Sequence, residues 1–256
     1  MQKTIVITGA ASGIGQACAC LFKAAGNRVI GLDINTASEG VDRFIPVDLS
    51  SEASLTQAAA AIDGPVDVLC NVAGLPGSAP ADKIMAVNVM GLRAFMQAML
   101  PHMRGGGAVM NLASLAGSGW RDRLAEAESL LATAGFDEGM EWVRAHPRAS
   151  DDAYRFSKEC VIVGTAQWAA GLIQQGIRVL SFSPGPVATP ILESFRKSMA
   201  PGQVDAAIDL VGRAATAEDV AQVIVGMADD GMRWLNGIDI PTDGGLSAMR
   251  RYGRQA

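Results

Sequence analysis

The chain has 256 residues, 49% of them hydrophobic, with 26 acidic against 21 basic side chains and a formal charge of −5. That length suffices for one large domain whose core folds unaided, and an acidic balance without a Lys/Arg-rich run argues against a nucleic-acid surface. No run reaches the ~18 consecutive apolar residues of a membrane span, and the first apolar stretch is too short for a signal sequence, so a cytoplasmic protein is expected.

Residues 4–8 are a β-branched run stopped by Gly9, and 14–25 read as a helix ending at Gly26. Strands are expected at 28–32, ending in Asp33, and at 43–47, ending in Asp48. A helix at 54–62 and a strand at 66–70, closing on Asn71-Val72-Ala73-Gly74, follow. A long helix at 84–103 leads through Gly105-Gly106-Gly107 to a strand at 108–113. A helix from Ala153, a strand at 177–183, a helix at 217–228 and a last strand at 237–241 complete the series. Such alternation implies right-handed crossovers and a parallel sheet covered on both faces, a single Rossmann-like doubly wound domain over 1–256.

Two stretches break the rhythm. Residues 117–151 are too long for a crossover, and the spacing of Leu124, Ala127, Leu131 and Ala134, then Phe136, Met140 and Val143, predicts an inserted pair of short amphipathic helices. Residues 184–212 are likewise too long and are expected to form a substrate lid.

Thr8-Gly9-Ala10-Ala11-Ser12-Gly13-Ile14-Gly15 sits at the first strand–helix junction. There, backbone amides and a helix N-terminus meet at the carboxyl edge of a parallel sheet, where a pyrophosphate can bind. Gly9 permits the turn, Gly13 lets phosphate approach the backbone, and Gly15 lets the helix sit close to the sheet. A glycine turn with a packing role alone is the plainer alternative. Asp33 would accept hydrogen bonds from ribose hydroxyls and repel a 2′-phosphate, which points to NAD rather than NADP, unless it merely caps the next turn. Asp48 and Leu49 end the third strand, where the adenine would lie, unless Asp48 serves as a helix-cap or turn residue.

Tyr154 and Lys158 stand four positions apart in Tyr154-Arg155-Phe156-Ser157-Lys158, one above the other on a helix face. An ammonium beside a phenol favours the phenolate and brings it within range of proton transfer; a half-exposed surface helix would carry the same residues. Cys18, Cys20, Cys70 and Cys160 have apolar neighbours and no metal-ligand spacing, so they are expected to be small buried hydrophobes, with no metal.

Thr8-Gly9-x-x-x-Gly13-x-Gly15, Asn71-x-Ala73-Gly74, Asn88, Ser114, Tyr154-x-x-Ser157-Lys158, Pro184-Gly185 with Thr189, and Asp243-Gly244-Gly245 resemble, in that order, the short-chain dehydrogenase/reductase family over essentially the whole chain. The resemblance implies Tyr154 as acid/base, Lys158 lowering its pKa and binding the nicotinamide ribose, Ser114 holding the substrate oxygen, and Asn88 holding a water in a proton relay. It further implies cofactor contacts from Gly9, Ser12, Gly13, Ile14, Gly15, Asp33, Asp48, Leu49, Asn71, Ala73, Gly74, Pro184, Gly185, Val187 and Thr189. Ser157 is assigned to packing.

Ser114 and Tyr154 stand forty positions apart, far more than the family usually shows, and the insertion fills the gap. In this the chain is similar to bacterial members acting on aryl allylic alcohols and on 3α-hydroxysteroids. The insertion abuts the helix bearing Tyr154, which packs in a four-helix contact in family tetramers; blocking that contact implies a homodimer through another face. Leu115, Trp120, Met140, Trp142, Ile191, Leu192, Phe195 and Met199 are candidate walls of an apolar pocket for a hydrophobic ring-bearing alcohol or carbonyl compound. A dinucleotide-binding sensor without turnover is the alternative from another class, and the intact Ser114, Tyr154 and Lys158 set disfavours it.

Overall fold

Seven strands pair side by side, all parallel: β1 (Thr4–Thr8), β2 (Arg28–Asp33), β3 (Arg43–Pro46), β4 (Val66–Asn71), β5 (Met103–Leu112), β6 (Arg178–Pro184) and β9 (Asp239–Thr242), in the spatial order β3-β2-β1-β4-β5-β6-β9. The structure, a computed structural model, describes residues 2–37, 39–198 and 200–253. Successive side chains of a strand point to opposite faces, and the two faces of the core separate accordingly. Val6, Ile30, Leu69, Val109 and Val179 meet α2 (Glu52–Ala60), α4 (Leu92–Met99) and the end of α8 (Ala153–Leu172) on one side. Their neighbours Ile5, Val29, Cys70, Met110 and Leu180 meet α1 (Gly13–Ala24) and α11 (Ala217–Met227) on the other. The strand order reverses between β1 and β4, where the crevice at the carboxyl ends opens. The doubly wound parallel sheet is as the alternation of strands and helices implied.

The differences are local. β5 begins at Met103 and runs through the three glycines, because a register shift opposite Val66 and Val68 absorbs the extra residues there. The helix Ala81–His102 is continuous but not uniform: α3 (Ala81–Met85) passes through a π segment, Ala86–Gly91, into α4 and ends in a 3₁₀ turn. Although long and apolar enough to cross a membrane by length and composition, it is mostly buried as a core helix. The insertion has more helix than its periodicity showed: a 3₁₀ segment (Leu115–Arg123), α5 (Leu124–Leu131), α6 (Phe136–Ala145) and a short α7 (Pro147–Asp151). The 184–212 stretch is a helical excursion, α9 (Leu192–Ser198) and α10 (Gln203–Val211), whose ends are joined by the small parallel pair β7 (Val187–Ala188) and β8 (Ala215–Thr216). A terminal helix, α12 (Leu246–Tyr252), was not foreseen.

The insertion lies on the outward face of α8. Ala127, Leu130, Phe136, Met140 and Val143 form one buried cluster with Phe156, Cys160 and Val163 of that helix and with Ile84 to Met90. The buried Arg93 of α4 hydrogen-bonds the side chain and carbonyl of Thr133. Cys18, Cys70 and Cys160 are buried as expected, and burial pushes the Cys18 thiol up to about 12; Cys20 is exposed, a correction, because it faces away from the sheet.

Candidate active site

The turn after β1 is built from close backbone approaches. Thr8 Oγ1 accepts from the amides of Val72 and Ala73 at 3.1 and 3.2 Å, tying the glycine loop to the end of β4. Gly9 has φ +76°, and a Cβ there would stand 2.8 Å from the Ala73 nitrogen; a Cβ on Gly15 would overlap the Gly9 carbonyl. Gly13, with φ +55°, is open apart from Thr189 Cγ2 at 3.4 Å. Ser12 precedes α1 without capping it and the first turn holds no acid, so the amides there lack the partners a helix N-terminus seeks. This cradle fits an anion such as a pyrophosphate. Asp33 turns its carboxylate toward the loop, accepting from the amides of Ala11 at 3.1 Å and Asn35 at 2.9 Å; unused lone pairs remain for ribose hydroxyls.

α8 rises beside the ends of β5 and β6, and its first turns carry Tyr154 and Lys158. Lys158 Nζ donates to the Leu112 carbonyl at 2.8 Å and lies 5.8 Å from the centre of the Tyr154 ring. Desolvation pushes the Tyr154 phenol up to about 12, opposed by its hydrogen bond with Ser114, so the lowering expected from Lys158 is corrected: desolvation outweighs it, and also pulls Lys158 down to about 8. Ser114 starts the 3₁₀ segment, its Oγ accepting from the Ala116 amide at 3.2 Å. Gly117 lets that segment sit directly on the Lys158 backbone. Ser114, Tyr154 and Lys158 therefore converge from residues forty positions apart in sequence.

They open into one cavity of about 640 Å³. Its lining includes Ile14, Gly74, Pro184, Gly185, Val187 and Thr189, the apolar Leu75, Leu115, Ile191, Leu192 and Phe195, and the polar Ser118, Asp152 and Arg155. The Phe195 ring meets that of Tyr154 edge-on, 5.0 Å between centres, so α9 packs against the Tyr154 ring.

Of the other expected residues, Asn88 uses its side-chain amide, from the π segment, to clasp both backbone groups of Leu75, at 2.7 and 3.1 Å, and to donate to Ser157 Oγ at 3.2 Å; its Oδ1 and Lys158 Nζ both face Gly74, 3.2 and 3.6 Å from where a Cβ there would stand. Ser157 is more than packing, since its Oγ also donates to the Tyr154 carbonyl at 2.7 Å. The Asn71 side chain is buried in the sheet, donating to Asn111 Oδ1 at 2.9 Å, and so does not face the crevice. Asp48 Oδ1 accepts from the amide and hydroxyl of Ser50, and Leu49 is buried in the core; like Asp33, both stand outside this cavity. Trp120 is not a pocket wall; it packs against the insertion's cluster under Arg121, because the 3₁₀ turn rotates it away from Leu115. Met140 and Trp142 belong to that cluster as well, and Met199 lies outside the described residues. Sequence reasoning missed Leu246 and Arg250, which line the cavity from α12, and Arg155 beside Tyr154. Their four-residue spacing after Gly244-Gly245 is a helical signal that could have found the first two.

Comparison with known proteins agrees with this geometry. The profile of the short chain dehydrogenase family matches residues 3–125, and one described as enoyl-(acyl carrier protein) reductase matches 140–247, the interval falling inside the insertion. Coniferyl-alcohol dehydrogenase of Pseudomonas sp. (strain HR199 / DSM 7063) is 36% identical, over 96% of this chain and 97% of that protein. The 3-alpha-hydroxysteroid dehydrogenase/carbonyl reductase of Comamonas testosteroni is 29% identical, over 96% and 97%. Among solved structures, the 3-alpha-hydroxysteroid dehydrogenase from Pseudomonas sp. B-0831, complexed with NADH, superposes with a TM-score of 0.82 at 27% identity, covering 97% of this chain and 98% of that one.

Proposed function

This chain belongs to the short-chain dehydrogenase/reductase family, and from that premise we propose that it is an NAD-dependent alcohol dehydrogenase or carbonyl reductase for hydrophobic ring-bearing substrates, of the coniferyl-alcohol kind. The observation that carries the reading is the convergence of Ser114, Tyr154 and Lys158 on one cavity that Leu75, Leu115, Ile191, Leu192 and Phe195 also line. A 3α-hydroxysteroid is the second reading, favoured by the likeness to the steroid dehydrogenase structure.

When bound, the nicotinamide supplies or accepts the hydride. The glycine loop holds the pyrophosphate, Asp33 the adenosine ribose, and Val187 and Thr189 the carboxamide end. Tyr154, held protonated by burial, donates its proton to the substrate oxygen during reduction and takes it back during oxidation. Ser114 orients that oxygen and favours the phenolate through its hydrogen bond. The Lys158 ammonium, within reach of the ring, stabilises the same phenolate while it carries charge. Asn88 and Ser157 fix the loop at Leu75 against the first turn of α8, which keeps the cavity wall in register with Tyr154.

We read the protein as a cytoplasmic homodimer of one domain. The insertion covers the outward faces of α4 and α8, leaving another face for assembly. One preparation tests these readings. NADH absorbance is expected to rise steadily with coniferyl alcohol and NAD, and about tenfold less efficiently with NADP because Asp33 repels the extra phosphate. Light scattering is expected to give twice the 26.6 kDa chain mass. Absorbance unchanged with coniferyl alcohol and with a 3α-hydroxysteroid would remove the enzymatic reading, and a stable tetramer would remove the steric one.

A further inference from the structure

Glu159 follows Lys158 on α8 but points to a different face of the helix. Its side chain is 1% exposed, with Oε1 accepting from Arg155 Nε at 3.2 Å and Oε2 3.8 Å from Arg123 Nη1, whose guanidinium covers the Phe156 ring. A carboxylate is buried at such a place only when cations compensate it. Burial raises its pKa and the two arginines oppose the rise. Arg155, half-exposed and next to Tyr154, lines the cavity beside Ser118 and Asp152. Its Nη2 packs on Gly119, where an added Cβ would come within 2.6 Å. Among the described residues its hydrogen bond runs through Nε alone, which leaves the terminal amino groups free to donate.

Resting on the reading of this cavity as a site for ring-bearing alcohols, we propose that Arg155 is a specificity-determining residue that donates to an oxygen substituent on the far side of the substrate ring, and that Glu159 is the positioning residue that holds it there. Asp151, Asp152 and Arg250 line the same cavity, and Arg123 shares Glu159 with Arg155, so the local charges balance and the acceptor is a neutral oxygen, a phenolic hydroxyl, methoxyl or carbonyl. Neither residue touches the reacting carbon, so the pair acts on binding.

The test compares coniferyl alcohol, whose ring carries a hydroxyl and a methoxyl, with cinnamyl alcohol, whose ring is bare. The wild-type protein is expected to favour the oxygenated ring by about tenfold in kcat/KM, through KM. Arg155→Met raises KM for coniferyl alcohol about tenfold and for cinnamyl alcohol less than about threefold, with kcat moved little for either. Glu159→Ala behaves as Arg155→Met does, while Glu159→Gln, which keeps an acceptor for Nε, recovers most of the preference. If Glu159→Ala does not fold, the half-exposed Arg155→Met carries the test alone. A wild-type protein indifferent to the ring oxygens, or an Arg155→Met that weakens both alcohols equally, overturns the proposal while leaving the dehydrogenase reading intact. Turnover of neither alcohol removes the reading on which it rests, and the proposal with it.

Discussion

Replacing Tyr154 by Phe is expected to lower kcat by about 10³- to 10⁴-fold while NADH binding, followed by fluorescence, stays within about threefold. The phenol is the one group in the cavity that both holds a proton at neutral pH and stands beside Ser114 and Lys158. Removing its oxygen leaves the ring in its edge-on contact with Phe195, so the cavity and α9 keep their packing. The substrate oxygen then has no acid to receive a proton from, and the lysine alone does not replace it, because its ammonium is directed at the Leu112 carbonyl. Turnover in the variant within tenfold of wild type would show that the proton moves by another route.

Gly117→Ala is expected to cost about 2–3 kcal/mol of stability and to reduce kcat disproportionately. An added methyl would stand 2.7 Å from the Lys158 carbonyl carbon, 2.8 Å from its oxygen and 2.9 Å from Ile162 Cδ1. Two of those atoms are helix backbone and cannot turn aside. Either the 3₁₀ segment lifts from α8 or the helix shifts, and both change the separation of Ser114 from Tyr154. A misplacement of about 1 Å can cost on the order of 10² in rate. Gly135→Ala is the control within the insertion, since a Cβ there meets nothing within 4 Å. The check is the urea midpoint of both variants together with kcat; equal midpoints would mean that the insertion does not press on the catalytic helix.

What could be read in the sequence followed from short-range rules. The β-branched run 4–8 stopped by Gly9 marked the first strand, and the glycine loop and the four-residue step from Tyr154 to Lys158 needed only backbone geometry. The side chains that went elsewhere are those whose direction depends on a neighbour far along the chain. Asn71 turns into the sheet because Asn111 lies beside it on β5, and Asn88 turns to Leu75 because the π segment displaces it from a regular helical position. Trp120 was placed by its position in the insertion, yet it packs against the insertion's core and against the cluster of Leu92, Ala113, Val161 and Ile162. The C-terminal wall went unread because α12 is short and its apolar contact, Leu246, is a single buried residue.

The central claim is that Tyr154 is a partly buried phenol that keeps its proton until the reaction takes it. The chain has two tyrosines, and the other, Tyr252, is exposed near the end of α12, so Tyr252→Phe leaves Tyr154 as the sole phenol to titrate. Ultraviolet absorbance of the phenolate in that variant at pH 11 is the measurement. With the phenol pushed up to about 12, only about a tenth of Tyr154 is predicted to be ionised, against about nine-tenths for an unperturbed phenol of pKa ~10. Ionisation of about nine-tenths at that pH, in a protein still folded by circular dichroism, would contradict the account.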